Sequence, residues 1–214
     1  MQLQTLWSEF SIRQLDYITN IIKNSDAKSV CELGTFVGTS AKHIWDGIKD
    51  TDKKLYLVDN YFFLPKKYRW HFFNTIKNSI DKDTKNIIPI LQSSHKYDWT
   101  QHDFVIFGHH DYDHMLPDFN ILLQSDVKYA IIDINFKCFD RFNLLLHSVV
   151  TQESNLKLQY YIDGIFVLGR EKLKCTLPTK NKLFFHRQIK CMPKGTGTYL
   201  QAIKNIQNML GIKK

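Results

Sequence analysis

Apolar positions along this chain follow two rhythms. Short unbroken apolar runs occur at KSVCEL (28–33), LYLVD (55–59), NIIPIL (86–91), DFVIF (103–107) and KYAIIDI (128–134). Such runs, without polar alternation, are the pattern of strands covered on both faces. Between them the apolar residues recur at helical intervals. In SEFSIRQLDYITNIIKN (8–24) these are Phe10, Leu15, Ile18, Ile21 and Ile22, with Ser8 or Ser11 placed to cap the start. Further helices are expected from Thr39 to about Lys49, over 65–80 with Pro65 in the first turn, over 114–125 with Pro117 near the start, and from about Phe139 to Val150. Pro89 removes a ladder donor from the third run and favours an edge position for it. LQYYI (158–162) and IFVLG (165–169) flank Asp163-Gly164, a hairpin turn signal.

This alternation predicts an α/β fold: a Rossmann-like, doubly wound, mostly parallel seven-stranded sheet with helices on both faces and a closing antiparallel hairpin. An N-terminal helix and a C-terminal helical extension are added to it. Residues 1–170 are expected to form one domain. Residues 171–214 leave the alternation, and LQAIKNIQNML (200–210) reads as a terminal helix of an extension that is not an independent domain.

Composition narrows the class. The 214 residues are 43% hydrophobic and 23% charged, which suits a globular chain. No apolar run approaches the roughly 20 residues of a membrane span, and the start, MQLQTLWSEF, lacks the basic and apolar regions of a signal peptide. The four cysteines (Cys31, Cys138, Cys175, Cys191) include no Cys-x-x-Cys pair, which argues against a zinc ribbon, a thioredoxin-type site and a disulfide framework. A cytoplasmic, reducing location is expected. The net charge of +8 is uneven: residues 171–214 hold 10 Lys and Arg against the single acid Glu171, whereas residues 1–170 hold 19 against 20. A basic extension gathers phosphates by counterion release, so nucleic acid or another polyanion is a candidate partner; a solubilising tail is the alternative.

The most informative stretch is SVCELGTFVGTS (29–40). A strand ends at Glu32, a glycine turn follows, and a helix opens near Thr39. Gly34 permits the tight turn, Gly38 permits close backbone approach to a ligand, and the helix N-terminus with Ser40 offers donors to an anionic group. Phe36 occupies the middle glycine of G-x-G-x-x-G, so the dinucleotide fingerprint is missing.

E-L-G-x-x-x-G-x-S at the first strand resembles motif I of class I S-adenosylmethionine-dependent methyltransferases, in particular the catechol and caffeoyl-CoA O-methyltransferase branch with its small-molecule relatives. Asp59 ends the second strand where that family holds the ribose hydroxyls. DFVIFGHHDYDHMLPD (103–118) is similar to the family's fourth-strand segment, with Gly108, His110, Tyr112 and Asp118 on matching positions; YAIIDI and YYIDGIFVLGR match the fifth strand and the hairpin. The resemblance spans about residues 10–170. It implies S-adenosyl-L-methionine as cofactor, bound by Glu32, Gly34, Thr35, Gly38, Ser40, Asp59, Ser93 and Gly108. It implies methyl transfer to an oxygen of a small-molecule acceptor, with His109, His110 and Asp133 as the catalytic candidates. A nucleic-acid methyltransferase using the basic extension, and a catalytically idle binding module of the same fold, are the alternatives.

The chain departs from the metal-dependent branch at the end of the fourth strand. Phe107 stands where that branch has a Mg²⁺-ligating acid, His109 replaces the next acid, and Asp133 is followed by Ile134 with Asn135 one place late. Mg²⁺ wants several oxygen ligands, so no metal site is expected. HHDYDH (109–114) places His110 and His114 four apart, a transition-metal spacing, but the resemblance already accounts for His110 and Asp118. A neutral His109 or His110 beyond a strand's carboxyl end can take a proton from an acceptor hydroxyl; a satisfied structural histidine is the other reading. The aromatic clusters YFF (61–63) and YRWHFF (68–73) are read as core, or else as the floor of an adenine or acceptor pocket.

Overall fold

A computed structural model describes residues 10–108, 112–133, 155–162 and 165–173, together with Lys204, Gln207, Asn208, Leu210 and Gly211 of the C-terminal segment. The expected helix over 139–150, the turn residues Asp163-Gly164 and the N-terminal residues 8 and 9 lie outside them.

Seven strands form one sheet: β1 (Ser29–Leu33), β2 (Lys54–Asp59), β3 (Ile87–Leu91), β4 (Phe104–Phe107), β5 (Tyr129–Asp133), β6 (Lys157–Ile162) and β7 (Ile165–Gly169). Their order is β3-β2-β1-β4-β5-β7-β6. The first five are parallel, and β7 runs antiparallel between β5 and β6, with a bulge at Leu158/Tyr160. The doubly wound α/β architecture and its closing hairpin thus match the reading of the sequence. Strand β3 is an edge, where the missing N–H of Pro89 breaks no second ladder.

Four helices among the described residues cover the sheet: α1 (Ile12–Asn24), α2 (Thr39–Ile48), α3 (Lys66–Asp81) and α4 (Tyr112–Gln124). Ser11 and Gln14 close a capping box at the start of α1, while Ile18, Ile21 and Ile22 are buried. Helix α4 opens at Tyr112, earlier than the sequence suggests, so Pro117 sits inside it and removes one bond from its early turns. Core side chains divide by face. Along β4, Phe104 and Ile106 join the cluster under α1, α2 and α3; Val105 and Phe107 join the cluster with Trp99 and Met115, Phe119 and Leu122 of α4. Burying each such side chain contributes about 1.5–3 kcal/mol.

The strands' starting ends are fastened by polar contacts. Asp103 Oδ2 accepts from the backbone N–H groups of Lys28 and Ser29 at 2.9 and 3.0 Å, tying β1 to β4. The buried Lys53 ammonium donates to Ser25 O and Ala27 O, closing the gap between α1 and β1. No helix among the described residues is long and apolar enough to cross a membrane.

Candidate functional site

In open α/β sheets ligands bind outside the strands' carboxyl ends, where the strand order reverses. Here that point lies between β1 and β4. The loop after β1 meets the loop after β4: Gly108 N donates to Leu33 O at 2.8 Å, and a Cβ on Gly108 would lie 3.0 Å from both Gly34 O and Leu33 O. Any larger residue at 108 would push the two loops apart.

The loop from Gly34 to Gly38 is wound in left-handed conformations, with φ of 88° at Gly34, 48° at Phe36 and 77° at Gly38. Gly38 caps α2, and no side chain caps that N-terminus. A first turn without a side-chain cap, carrying partial positive charge, suits an anionic ligand group. Besides the ligand approach expected of it, Gly38 has a packing role. A Cβ there would lie 2.6 Å from Ile76 Cγ2 of α3.

Asp59 organises the neighbouring loops. Its Oδ2 accepts from Phe36 N at 2.8 Å and its Oδ1 from Tyr61 N at 2.7 Å. Phe36 and Tyr61 are the non-glycine residues with positive φ among the described residues, at 48° and 44°. Left-handed backbone costs roughly 1–2 kcal/mol per L-residue, and here one carboxylate holds both. The Tyr61 and Phe62 bonds to the side chains of Asp59 and Asn60 are Asx turns. The Asp-Asn pair closing β2 is the sequence signal that marks them, and the reading of the sequence passed over it.

Beneath the turn sits Glu32, fully buried. Its Oε1 accepts from Ser40 Oγ, so the Ser40 hydroxyl is occupied within the protein. The Tyr61 hydroxyl is buried without a hydrogen-bond partner, while Glu32 Oε2 and the Thr35 hydroxyl, buried side by side, interact without ordinary hydrogen-bond geometry. Burial pushes the Glu32 carboxyl from 4.5 up to about 7; the hydroxyls of Ser40 and Thr35 oppose the rise and the charge of Asp59 adds to it. Burial, with Asp59 and Glu32 nearby, likewise raises Tyr61 well above the usual phenol range. The rings of Phe72, Phe73 and Phe63 stand edge-on to Tyr61 at 5.2, 5.0 and 6.0 Å, and Phe36 stacks edge-on to Phe63 at 5.7 Å. These aromatics are core, as one of the two sequence readings had it. Phe62 and Trp70 are not; both are exposed.

Ser93 lies half-buried after β3, where its carbonyl accepts from Lys96 N and Tyr97 N in a tight turn. His95 Nε2 is 3.8 Å from Oδ2 of the fully buried Asp118 on α4. Phe107 is fully buried with its ring 5.8 Å from Trp99, inside an apolar cluster. His109 and His110 lie outside the described residues, and Asp133 is described only as the end of β5. Among the described residues no group of three or more His, Cys, Asp or Glu side chains is placed to hold a metal.

No protein-family model and no curated protein sequence matches the chain. Solved structures do resemble it. The SAH-bound methyltransferase PaMTH1 of Podospora anserina aligns with a TM-score of 0.56 and 13% identity, over 79% of this chain and 85% of its own. A proposed caffeoyl-CoA O-methyltransferase from Staphylococcus aureus aligns with a TM-score of 0.51 and 10% identity, over 74% and 83%. The ribosomal protein L11 methylase of Lactobacillus delbrueckii subsp. bulgaricus aligns with 0.51 and 12%, over 73% and 75%. Their names span different acceptors, and at these identities what is shared is architecture. The chain has the class I methyltransferase fold.

Proposed function

We propose that this chain binds S-adenosyl-L-methionine and transfers its methyl group, with an oxygen of a small molecule as the acceptor. Asp59 carries the reading: it sits at the end of β2, held by two backbone amides, beside the Gly34 turn and an α2 N-terminus without a side-chain cap. Those groups suit a nucleoside joined to an amino acid. Asp59 would accept from the ribose hydroxyls, the first turn of α2 would take the carboxylate, and the turn from Gly34 to Thr35 would pass under the methionine portion, with Ser93 and Gly108 flanking the site. Glu32 and Thr35 supply buried polar atoms beneath that turn. The cofactor supplies a methyl group on a positively charged sulfur, open to in-line displacement. The protein's work is then alignment. On this proposal a histidine at 109 or 110 takes the acceptor's proton, with Asp133 at the end of the adjacent strand. It needs no metal, since Phe107 packs against Trp99 where the resembling branch carries a ligand acid.

Calorimetric titration with S-adenosylmethionine and S-adenosylhomocysteine tests the reading. Asp59→Ala is expected to weaken binding by roughly 1.5–3 kcal/mol, the range for hydrogen bonds to a charged group. Because Asp59 also holds Phe36 and Tyr61, a ligand analogue lacking the ribose hydroxyls completes a double-mutant cycle. The loss on removing the hydroxyls should be large against wild type and small against the variant. Equal losses would refute the assignment.

A second reading makes the acceptor a nucleic acid. It is favoured by the described end of the C-terminal segment, which lies against the loop after β2: Gln207 Nε2 donates to Phe63 O at 3.3 Å, and Leu210 packs on the main core. Replacing Lys172, Lys174, Lys180 and Lys182 with Gln should flatten the salt dependence of RNA binding by about 0.7–0.9 in log–log slope for each phosphate no longer neutralised. An unchanged slope removes this reading. Turnover with labelled donor separates both from a module that only binds.

A further inference from the structure

Exposed aromatic rings are unusual where a core lies close by, and this chain shows two of them within nine residues. Phe62 is 70% exposed and Trp70 is 50% exposed, although their neighbours Tyr61, Leu64, Phe72 and Phe73 are buried. Charge on this stretch is one-sided. Between Asp59 and Asp81 the sequence holds Lys66, Lys67, Arg69 and Lys77 and no acid. The arrangement is also held in place. Arg69 Nε donates to Leu64 O at 2.8 Å and its Nη2 to Phe62 O at 3.2 Å, so the guanidinium clasps the loop that presents Phe62. Asn60 Oδ1 accepts from Phe62 N at 2.9 Å and fixes the same residue from the other side. Along α3, Lys67, Trp70, Asn74 and Lys77 follow one another at intervals of three or four residues, which places them on one flank of the helix.

We infer that the loop after β2 and the outward flank of α3 form a docking surface for single-stranded nucleic acid, with Phe62 and Trp70 as base-stacking platforms and Lys66 and Lys67 as phosphate contacts. This rests on the nucleic-acid reading of the acceptor. Stacking on exposed rings between basic side chains is how single strands are held without sequence preference, because every base has a π face. Duplex offers no such faces along its length. A membrane surface would need a continuous apolar stripe on the exposed side of α3; here Asn74, Asn78 and Ser79 interrupt it. The basic extension approaches the same loop, through Gln207 on Phe63, with Lys204 exposed one turn earlier.

The test uses the full chain and a fluorescently labelled, mixed-sequence single-stranded RNA of about twenty nucleotides, read by anisotropy over a salt series. The double variant Phe62→Ala, Trp70→Ala should lose roughly 5- to 150-fold in affinity per stacked base at fixed salt, with an unchanged salt slope. Lys66→Gln, Lys67→Gln should instead flatten the slope by about 0.7 per phosphate released, as expected for single strands. Both variants change exposed side chains; an unaltered melting curve confirms that they fold. Absence of RNA binding at low salt, equal binding by duplex of the same sequence, equal binding by anionic phosphatidylserine vesicles, or affinity and slope untouched by both variants would each overturn the proposal. Titration of the same proteins with S-adenosylmethionine keeps the two readings apart. Cofactor binding by the full chain with no RNA binding overturns this surface and leaves the methyltransferase reading standing. Cofactor binding absent with RNA binding intact overturns the methyltransferase reading, and the surface then docks RNA without serving methyl transfer.

Discussion

Replacing Glu32 with glutamine probes the electrostatics beneath the β1 turn. The carboxyl is fully buried, so ionising it forfeits hydration that the protein does not restore. Its pKa stands at about 7 against an ordinary 4.5. Below pH 4.5 both the folded and the unfolded chain hold the proton, and the group contributes no pH dependence. Between 4.5 and 7 the folded state keeps a proton that the unfolded state has released. Stability therefore falls as pH rises through that window, and above about 7 the loss is complete. A rise of about 2.5 pH units at about 1.36 kcal/mol each caps that loss at roughly 3 kcal/mol, of which about 2.5 kcal/mol falls between pH 5 and pH 8.5. Glutamine keeps an oxygen for Ser40 and cannot ionise. Urea unfolding of wild type and Glu32→Gln at pH 5 and pH 8.5 should show the variant gaining about 2.5 kcal/mol relative to wild type at the higher pH. A difference that is the same at both pH values would refute the reasoning, whatever its sign.

Gly38→Ala should destabilise by about 1–2 kcal/mol for left-handed backbone plus a clash with Ile76; in an Ile76→Ala background, itself less stable for its cavity, Gly38→Ala should cost only the backbone component in thermal melts. Methyl transfer measured with labelled donor should continue in excess chelator; loss of turnover with EDTA, restored by Mg²⁺, would show that acids other than position 107 hold a metal.

Periodicity carried the architecture because the central strands β1, β4, β5 and β7 are buried on both faces and each helix on one, so the burial that stabilises the fold is written directly into the apolar spacing. Ile18, Ile21 and Ile22 on α1 and Pro89 on the edge strand were legible for that reason. The site was legible only in part. Gly34 and Asp59 sit where strand ends require them, but Gly38 answers to Ile76, which is 38 residues away and invisible to any local pattern. Phe36 and Tyr61 entered the site through backbone conformation, which no side-chain chemistry announces. Aromatic residues at 61–73 read as one class, although the structure divides them. Helical phase places Phe72 and Phe73 inward and Trp70 at the rim, and loop geometry alone turns Phe62 out.

The strand order also has a consequence on the ribosome. Strand β1 is central, yet one of its partners is β4, with Val30 paired to Phe104, 74 residues later in the chain. At roughly 5–20 residues per second of synthesis, β1 waits about 4–15 s for that edge to be covered. For the first third of that interval neither edge of β1 is covered, and for the rest only the edge that pairs with β2 is. The nascent chain is then at its stickiest, before the second half of its sheet has been made.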